Sequence, residues 1–283
     1  VIRDFNRHLP DTAALIRLGL MVAVVLVYLP VIGNGFIDFD DPDYVTQNSR
    51  VRGGLTWQGI VWAFSTFHAA NWHPLTWISH MLDVSLFGLN PAGHHLTSLL
   101  IHLFNTLALF ALLNAMTGAA ARSAMVAALF AVHPLHVESV AWIAERKDVL
   151  STALALMALY WYARYTRQPG PCFYLASLGF FLLALMAKPM PLTLPLLMVV
   201  IDGWPLRRLW PGDRRQVTHV LAEKLPFLAA ALVSALVTLA AQSRGGAVGP
   251  LEVYPLVTRI ANALWSYLVY IAKTIAPIDL AVY

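Results

Sequence analysis

"CFYLASLGFFLLALMAKPMPLTLPLLMVVI", residues 172–201, decides how the chain is read. The run exceeds the roughly 20 residues that a helix needs to cross a hydrocarbon core. "AKPMP" interrupts it, with prolines at 189 and 191. Proline lacks a backbone donor and disfavours helical geometry in the residue before it, so one continuous helix is unfavourable. Charge bias gives the same answer, because cytoplasmic loops are rich in Lys and Arg. A single crossing would place Arg207, Arg208, Arg214 and Arg215 outside. Two short helices place them inside, together with Arg3, Arg7, Arg17, Arg122, Arg164, Arg167, Lys224 and Lys273, and leave most of the acids outside. The sequence therefore predicts a hairpin of two helices. At about 1.5 Å per residue each reaches only about 24 Å, so the tip residue Lys188 lies near or below the outer headgroup plane.

Outward from this hairpin the chain keeps the same character. Its 283 residues are 59% hydrophobic and 12% charged, about half the charged share of soluble domains. Apolar runs predict helices at 12–33, 94–117, 122–134, 148–166, 172–187, 189–203, 224–243 and 256–276. The expected fold is an all-α polytopic membrane protein of about eight transmembrane helices, one membrane domain over 1–283, with both termini cytoplasmic. The formal charge of +4 follows from this topology and calls for no nucleic acid. The single cysteine, Cys172, excludes an internal disulfide and thiolate metal clusters. No cleavable signal peptide is expected, because acidic residues, not a small-residue cleavage site, follow the first apolar run. No P-loop, dinucleotide-binding glycine pattern or nucleophile elbow is present, which argues against ATP-driven transport and α/β-hydrolase chemistry.

The first outer loop spans about 35–93. It opens with "GFIDFDDPDYV". Two amphipathic surface helices are expected after it. In "LTWQGIVWAFSTF", Trp57, Ile60, Val61 and Phe64 share one face, with Thr56 as the N-cap. In "PLTWISHMLDVSLF", Leu75, Ile78, Leu82 and Leu86 form a similar stripe. Trp57, Trp62, Trp72 and Trp77 suit a membrane interface, so these helices are expected to lie on the bilayer.

The candidate chemistry collects on that outer face. Asp40 and Asp41 offer a carboxylate pair. One can take a proton from an attacking hydroxyl while its neighbour orients it or raises its pKa; the plain alternative is an acidic turn, since "DDPD" is good turn chemistry. "HPLHVE" offers His133, His136 and Glu138, either as acceptor or substrate contacts or as ligands to one divalent metal. A helix end broken at Pro134, with its polar groups bonded across the bundle, is the structural alternative. In "ERKD", Arg146 suits a phosphate by paired hydrogen bonds, or an ion-paired helix start with no ligand. Lys188 suits the phosphate of a lipid carrier, or simply snorkels to the interface.

Four blocks in order, "FIDFDDPDYV", "WHPLTWISHMLDVSLFGLNPAGHHLTSLLIHLFN", "FAVHPLHVESVAWIAERKDVLS" and "AKPMPLTLPLLMVVIDGWP", resemble bacterial members of the transmembrane and tetratricopeptide-repeat proteins. These are GT-C fold glycosyltransferases related to protein O-mannosyltransferases. The resemblance runs from about residue 12 to the end; no 34-residue repeat is present in this chain. It implies a GT-C-like bundle and a sugar donor, with mannose one option, carried on a polyprenyl phosphate. It also implies a hydroxyl-bearing protein or glycan acceptor and a catalytic carboxylate in the first outer loop, where Asp40 falls at the first position of the family's acidic pair. One displacement with one base implies inversion. Arg146 and Lys188 are candidates for the lipid phosphate by chemistry and placement. The expected setting is a bacterial inner membrane with a periplasmic active face. Two further readings stand beside it: a non-catalytic scaffold subunit with membrane-complex partners, and a secondary transporter using "HPLHVE" as an ion relay. The transporter predicts paired broken helices in two halves, and the sequence shows no such pairing.

Overall fold

The structure is a computed structural model that describes residues 12–209, 213–249, 252–278 and 280. Among these residues every regular element is helical. Helix α1 (Thr12–Tyr28) continues into a 3-10 turn at Leu29–Gly33. The first loop holds a π-helical turn at Pro42–Thr46, then α2 (Ser49–Arg52), α3 (Trp57–Ser65) and α4 (Pro74–Phe87). Helices α5 (Pro91–Thr117) and α6 (Ala120–Val132) form a hairpin, and the short α7 (Val137–Ala141) follows. The second half comprises α8 (Arg146–Arg167), α9 (Pro171–Ala187), α10 (Leu194–Gly203), α11 (Arg214–Ala222), α12 (Leu225–Arg244) and α13 (Leu256–Ile275).

Local chemistry sets the ends of these helices. Asn90 starts α5 by accepting from the Ala92 N–H at 3.1 Å, with Pro91 in the first turn, where its missing donor costs nothing. Gly118 closes α5 in the left-handed region at φ 67°, and its N–H reaches the Asn114 carbonyl at 2.9 Å. Thr56 caps α3 through the Gly59 N–H at 3.0 Å, as its spacing predicts. The run at 172–201 does break at Lys188, which is extended at φ −158° and ends α9. Pro189 and Pro191 then lead through a 3-10 turn into α10.

Among the described residues three helices are long and apolar enough to cross a membrane: Thr12–Gly33, Pro91–Thr117 and Arg214–Arg244. Ala120–Val132 and Pro134–Ala141 form a fourth if counted as one span bent by 53°, the kink sitting at Pro134. Pro171–Ala187 and Met190–Gly203 are apolar but shorter. The burial pattern is that of a membrane protein. Helix α5 turns His94, His95, Ser98, His102, Asn105 and Thr106 inward, whereas Leu26, Leu100, Leu129 and Leu236 face out. The surface helices do the same. The predicted apolar stripes point away from the protein, with Trp57 74% and Leu86 64% exposed, and α4 buries Thr76, Trp77, His80 and Asp83 instead. The inner faces are mixed: Ala63, Trp77 and Met81 join an apolar cluster with Tyr44, Val45 and Ile143, against which Ile78 packs, so Trp77 lies inside the protein and not at the membrane interface expected of it.

One expected crossing is corrected. Helix α13 was to return from the outer end to the inner one. Its first residues follow α12, whose last residue, Arg244, stacks over Phe67 of the first loop at 5.1 Å. Its last turn lies at that same end, because the ring of His133 bonds the Thr274 carbonyl at 2.9 Å. The last turn of α13 thus lies at the His133 end of the bundle, no residue of α13 is buried, and the expected return of α13 to the inner end is not seen. The physical reason is amphipathicity: Arg259, Ser266, Val269 and Lys273 on one face are partly covered, while Leu256, Ile260, Leu264 and Ile271 are exposed. Such a helix suits a surface better than a crossing. Arg3 and Arg7, counted on the inner side, lie outside the described residues.

Candidate functional site

The acidic turn after α1 divides its carboxylates between two tasks. Asp41 is buried, with Oδ2 accepting from the Ile37 N–H and Oδ1 from the Ala144 N–H, both at 2.9 Å. It thereby ties the first loop to the segment between α7 and α8. Burial pushes its carboxyl above the usual range, against the lowering effect of the two backbone donors. Asp40, one residue earlier, is half-buried, and its carboxylate has no hydrogen bond or ion pair among the described residues. The structure thus holds one member of the pair in place and leaves the other unpartnered beside it.

Around this turn lies a row of alternating charges. Lys147 Nζ stands 2.7 Å from Glu145, and Glu145 in turn is 3.3 Å from Lys188 Nζ. Lys188 also pairs with Asp148, whose other oxygen accepts from Ser139 at 3.0 Å. Burial disfavours the charged form of Glu145, but Lys147 and Lys188 together hold its carboxyl below the usual value. Lys147 joins this row to the acidic turn: its Nζ lies 4.5 Å from the Tyr44 ring centroid and 3.4 Å from the phenol oxygen. Tyr44 stacks on Trp77 at 4.8 Å, and Trp77 on His73 at 4.8 Å. Burial, then Lys147 and Lys188, lower the His73 imidazole to about 3, so it is neutral at pH 7. The segments named from sequence, the acidic pair, "ERKD" and the hairpin tip, therefore do meet.

Arg146 goes elsewhere. It is 0% exposed and points into the space between α4 and α5. Its guanidinium is 2.6 Å from Asp83 and donates to Ser98 at 2.9 Å, to Ser79 at 3.1 Å and to the His94 carbonyl at 2.6 Å. Asp83 also accepts from Thr97 at 2.8 Å. These partners occupy a side chain that sequence reasoning offered to a phosphate. Lys188, by contrast, is only partly covered between Glu145 and Asp148, while Lys147 is buried.

The "HPLHVE" residues do not join the cluster, although the His133 and His136 rings meet edge-on at 6.1 Å. His133 Nδ1 accepts from the Leu135 N–H at 3.2 Å and its Nε2 bonds Thr274. His136 packs on Phe130 at 4.5 Å and on His102 at 6.0 Å. Glu138 is exposed. Among the described residues no three His, Cys, Asp or Glu side chains converge in a way that could hold a metal ion. Sequence reasoning missed Tyr44, Asp83 and Ser98. The one signal available was polar residues on the wrong face of an amphipathic helix, as at Asp83.

A second polar network, not foreseen from sequence, sits at the far end of α8. The Tyr162 hydroxyl donates to Asp202 at 2.6 Å, Arg208 reaches Tyr162 at 2.7 Å, and Arg208 grips Glu223 through both nitrogens at 2.8 and 3.0 Å. Lys224 pairs with Asp202, and Tyr165 donates to Glu223 at 2.8 Å. With two acids and two bases all engaged, it clamps α8, α10 and the start of α12. Tyr162 lies about 24 Å along α8 from Arg146.

The chain is similar to proteins named as protein O-mannosyl-transferases. It is 36% identical to TMTC1 of Mus musculus over 156 residues, which is 51% of this chain and 16% of that protein. It is 28% identical to Tmtc1 of Drosophila melanogaster over 193 residues, 65% of this chain and 22% of the relative. Drosophila Tmtc2 matches at 30% over 151 residues, 50% of the chain and 16% of the relative. The matched region therefore spans between 16% and 22% of these relatives' own length. No family model and no solved structure matches the chain.

Proposed function

We propose that this chain is the membrane part of a GT-C-like glycosyltransferase that moves a sugar, with mannose the first choice given the relatives' names, from a polyprenyl-phosphate carrier to a hydroxyl acceptor on a protein or glycan. The observation that carries the proposal is the division of labour in the acidic pair. Asp41 is fixed by two backbone donors, while Asp40 beside it is unpartnered and half-open, next to the Lys147–Glu145–Lys188–Asp148 row. Asp40 is the general base. As the acceptor oxygen forms its bond to the anomeric carbon, its proton passes to the Asp40 carboxylate, and the carbon–oxygen bond to the lipid phosphate breaks with the electron pair leaving on phosphate. A single displacement inverts the anomeric centre. Lys188, with Lys147, stabilises the departing phosphate, whose charge is greatest as it leaves. Arg146 acts indirectly, by anchoring the start of α8 to α4 and α5. The active face is the outer, periplasmic one of a bacterial inner membrane.

The test is transfer from polyprenyl-phosphate sugars to a hydroxyl-bearing peptide by the purified chain in lipid. Asp40→Asn is expected to lower turnover by a factor of about 10² to 10⁴ with an unchanged thermal midpoint. Transfer by Asp40→Asn at the wild-type rate would end the assignment. A second reading, a non-catalytic scaffold subunit, is favoured by one observation: Arg146, Lys147 and Lys188 are all already paired with carboxylates. It predicts no transfer by the wild-type chain with any donor.

A further inference from the structure

We infer that the end of the bundle opposite Asp40 carries a binding site for the phosphate of an anionic membrane lipid, in a cavity between the α5–α6 turn and the segment after α10. The cavity measures about 450 Å³, within the range of small-ligand sites. Its charged lining is Arg122 from α6 and Arg207 from the loop, and no acidic side chain lines it. Neither guanidinium has a hydrogen-bond or ion-pair partner among the described residues. The nearby acids are spent: Asp202 and Glu223 are held by Tyr162, Arg208 and Lys224, and Asp213 caps α11 through the Gln216 N–H at 2.7 Å. The two positive charges are therefore not neutralised by the protein.

The rest of the wall has the mixed character that a lipid requires. Val126 and Trp204 supply apolar surface, and Trp204 is 67% exposed, as an aromatic side chain at a headgroup plane is. Thr117 and Ser123 also line the cavity, their hydroxyls 3.4 Å apart. The loop geometry brings Arg207 across. The Leu206 N–H returns to the Ile201 carbonyl at 3.0 Å and the Arg208 N–H to the Asp202 carbonyl at 2.7 Å. Arg207 between them adopts φ 52°, a conformation that non-glycine residues seldom take. Two guanidiniums across a cleft suit one phosphodiester, because each presents paired donors to phosphate oxygens. Basic pockets between membrane helices bind anionic headgroups on the same basis.

The occupant is a phospholipid headgroup and not free phosphate, because Leu113, Met116, Val126 and Trp204 line the same cavity as the two arginines and give acyl chains an apolar surface. The test is native mass spectrometry of the detergent-purified chain titrated with phosphatidylglycerol, phosphatidylcholine or inorganic phosphate. Wild type is expected to retain phosphatidylglycerol in preference to phosphatidylcholine, and inorganic phosphate is expected not to displace it. The double variant Arg122→Ala/Arg207→Ala is expected to weaken retention by about tenfold or more, and Arg215→Ala, on α11 outside this cavity, to leave it unchanged. Both arginines are exposed, so the variants keep their fold, checked by an unchanged thermal midpoint. Equal retention by the double variant, equal weakening by Arg215→Ala, or displacement by inorganic phosphate would each overturn the inference.

Discussion

At the scale of single residues, the site end of the bundle depends on how each ionisable group is matched. Arg146 and Asp83 are both almost fully buried, and their pairing at 2.6 Å is supported by Ser79, Ser98, Thr97 and a backbone carbonyl. Removing one partner leaves a buried charge alone, which costs about 3–5 kcal/mol. Arg146→Met is therefore expected to lower the thermal midpoint sharply, and Asp83→Asn/Arg146→Met to recover part of the loss. A double-mutant unfolding series in lipid checks this. His73 makes a pH prediction. Its folded value of about 3 lies below its ordinary 6.5, so below pH 6.5 the unfolded chain takes up a proton that the folded chain refuses. Stability is expected to be flat above pH 6.5 and to fall as pH drops from 6.5 toward 3. His73→Phe, which keeps the stack on Tyr44 and Trp77, is expected to flatten that slope. These residue-level roles were only partly legible in advance. The charges of "ERKD" announced themselves, but nothing in the order Glu145, Arg146, Lys147, Asp148 says that the arginine turns inward while its two neighbours turn to the acidic turn. That division depends on where α4 and α5 stand.

At the scale of elements, the legible features were those with a local cause. The break at Lys188, the Thr56 cap and the two surface helices all follow from proline, a hydroxyl at the right spacing, and apolar periodicity. Thr56→Ala is expected to cost about 1 kcal/mol and to be read as a small loss in thermal midpoint. Helix α13 was not legible. Its apolar share resembles a span, and only the bond between Thr274 and His133 shows that its last turn lies at the His133 end of the bundle. The prediction belongs to the element. In a Cys172→Ser background, Thr274→Cys is expected to react with a membrane-impermeant thiol reagent from the same side as Asp43→Cys. Labelling from opposite sides would mean that α13 crosses after all. The close approach of α4 to α5 is a second tertiary fact: a Cβ at Gly93 would meet the Phe87 ring at 2.2 Å. Gly93→Ala must displace that ring from the start of α5.

At the scale of the whole molecule, two polar clusters stand about 24 Å apart along α8, one mixed in charge around Asp40 and Lys188, the other a closed network around Asp202. Asp202→Asn is expected to destabilise the α8–α10–α12 junction, because Lys224 and Tyr162 lose their buried acceptor, without changing the order of donor preference in a transfer assay. The sequence by itself determined the all-helical membrane class, the hairpin at 172–201 and the gathering of acids and histidines near the first outer loop. Composition, proline and charge bias act locally, so they can be read along the chain. Only the tertiary structure decided which carboxylate of the pair is tied and which is unpartnered, that Arg146 is consumed by Asp83, that α13 turns back, and that Asp202 and Glu223 meet Arg208 and Lys224. Each of these depends on groups far apart in sequence being packed together in a medium without water, where a buried charge must find its partner wherever the fold brings one.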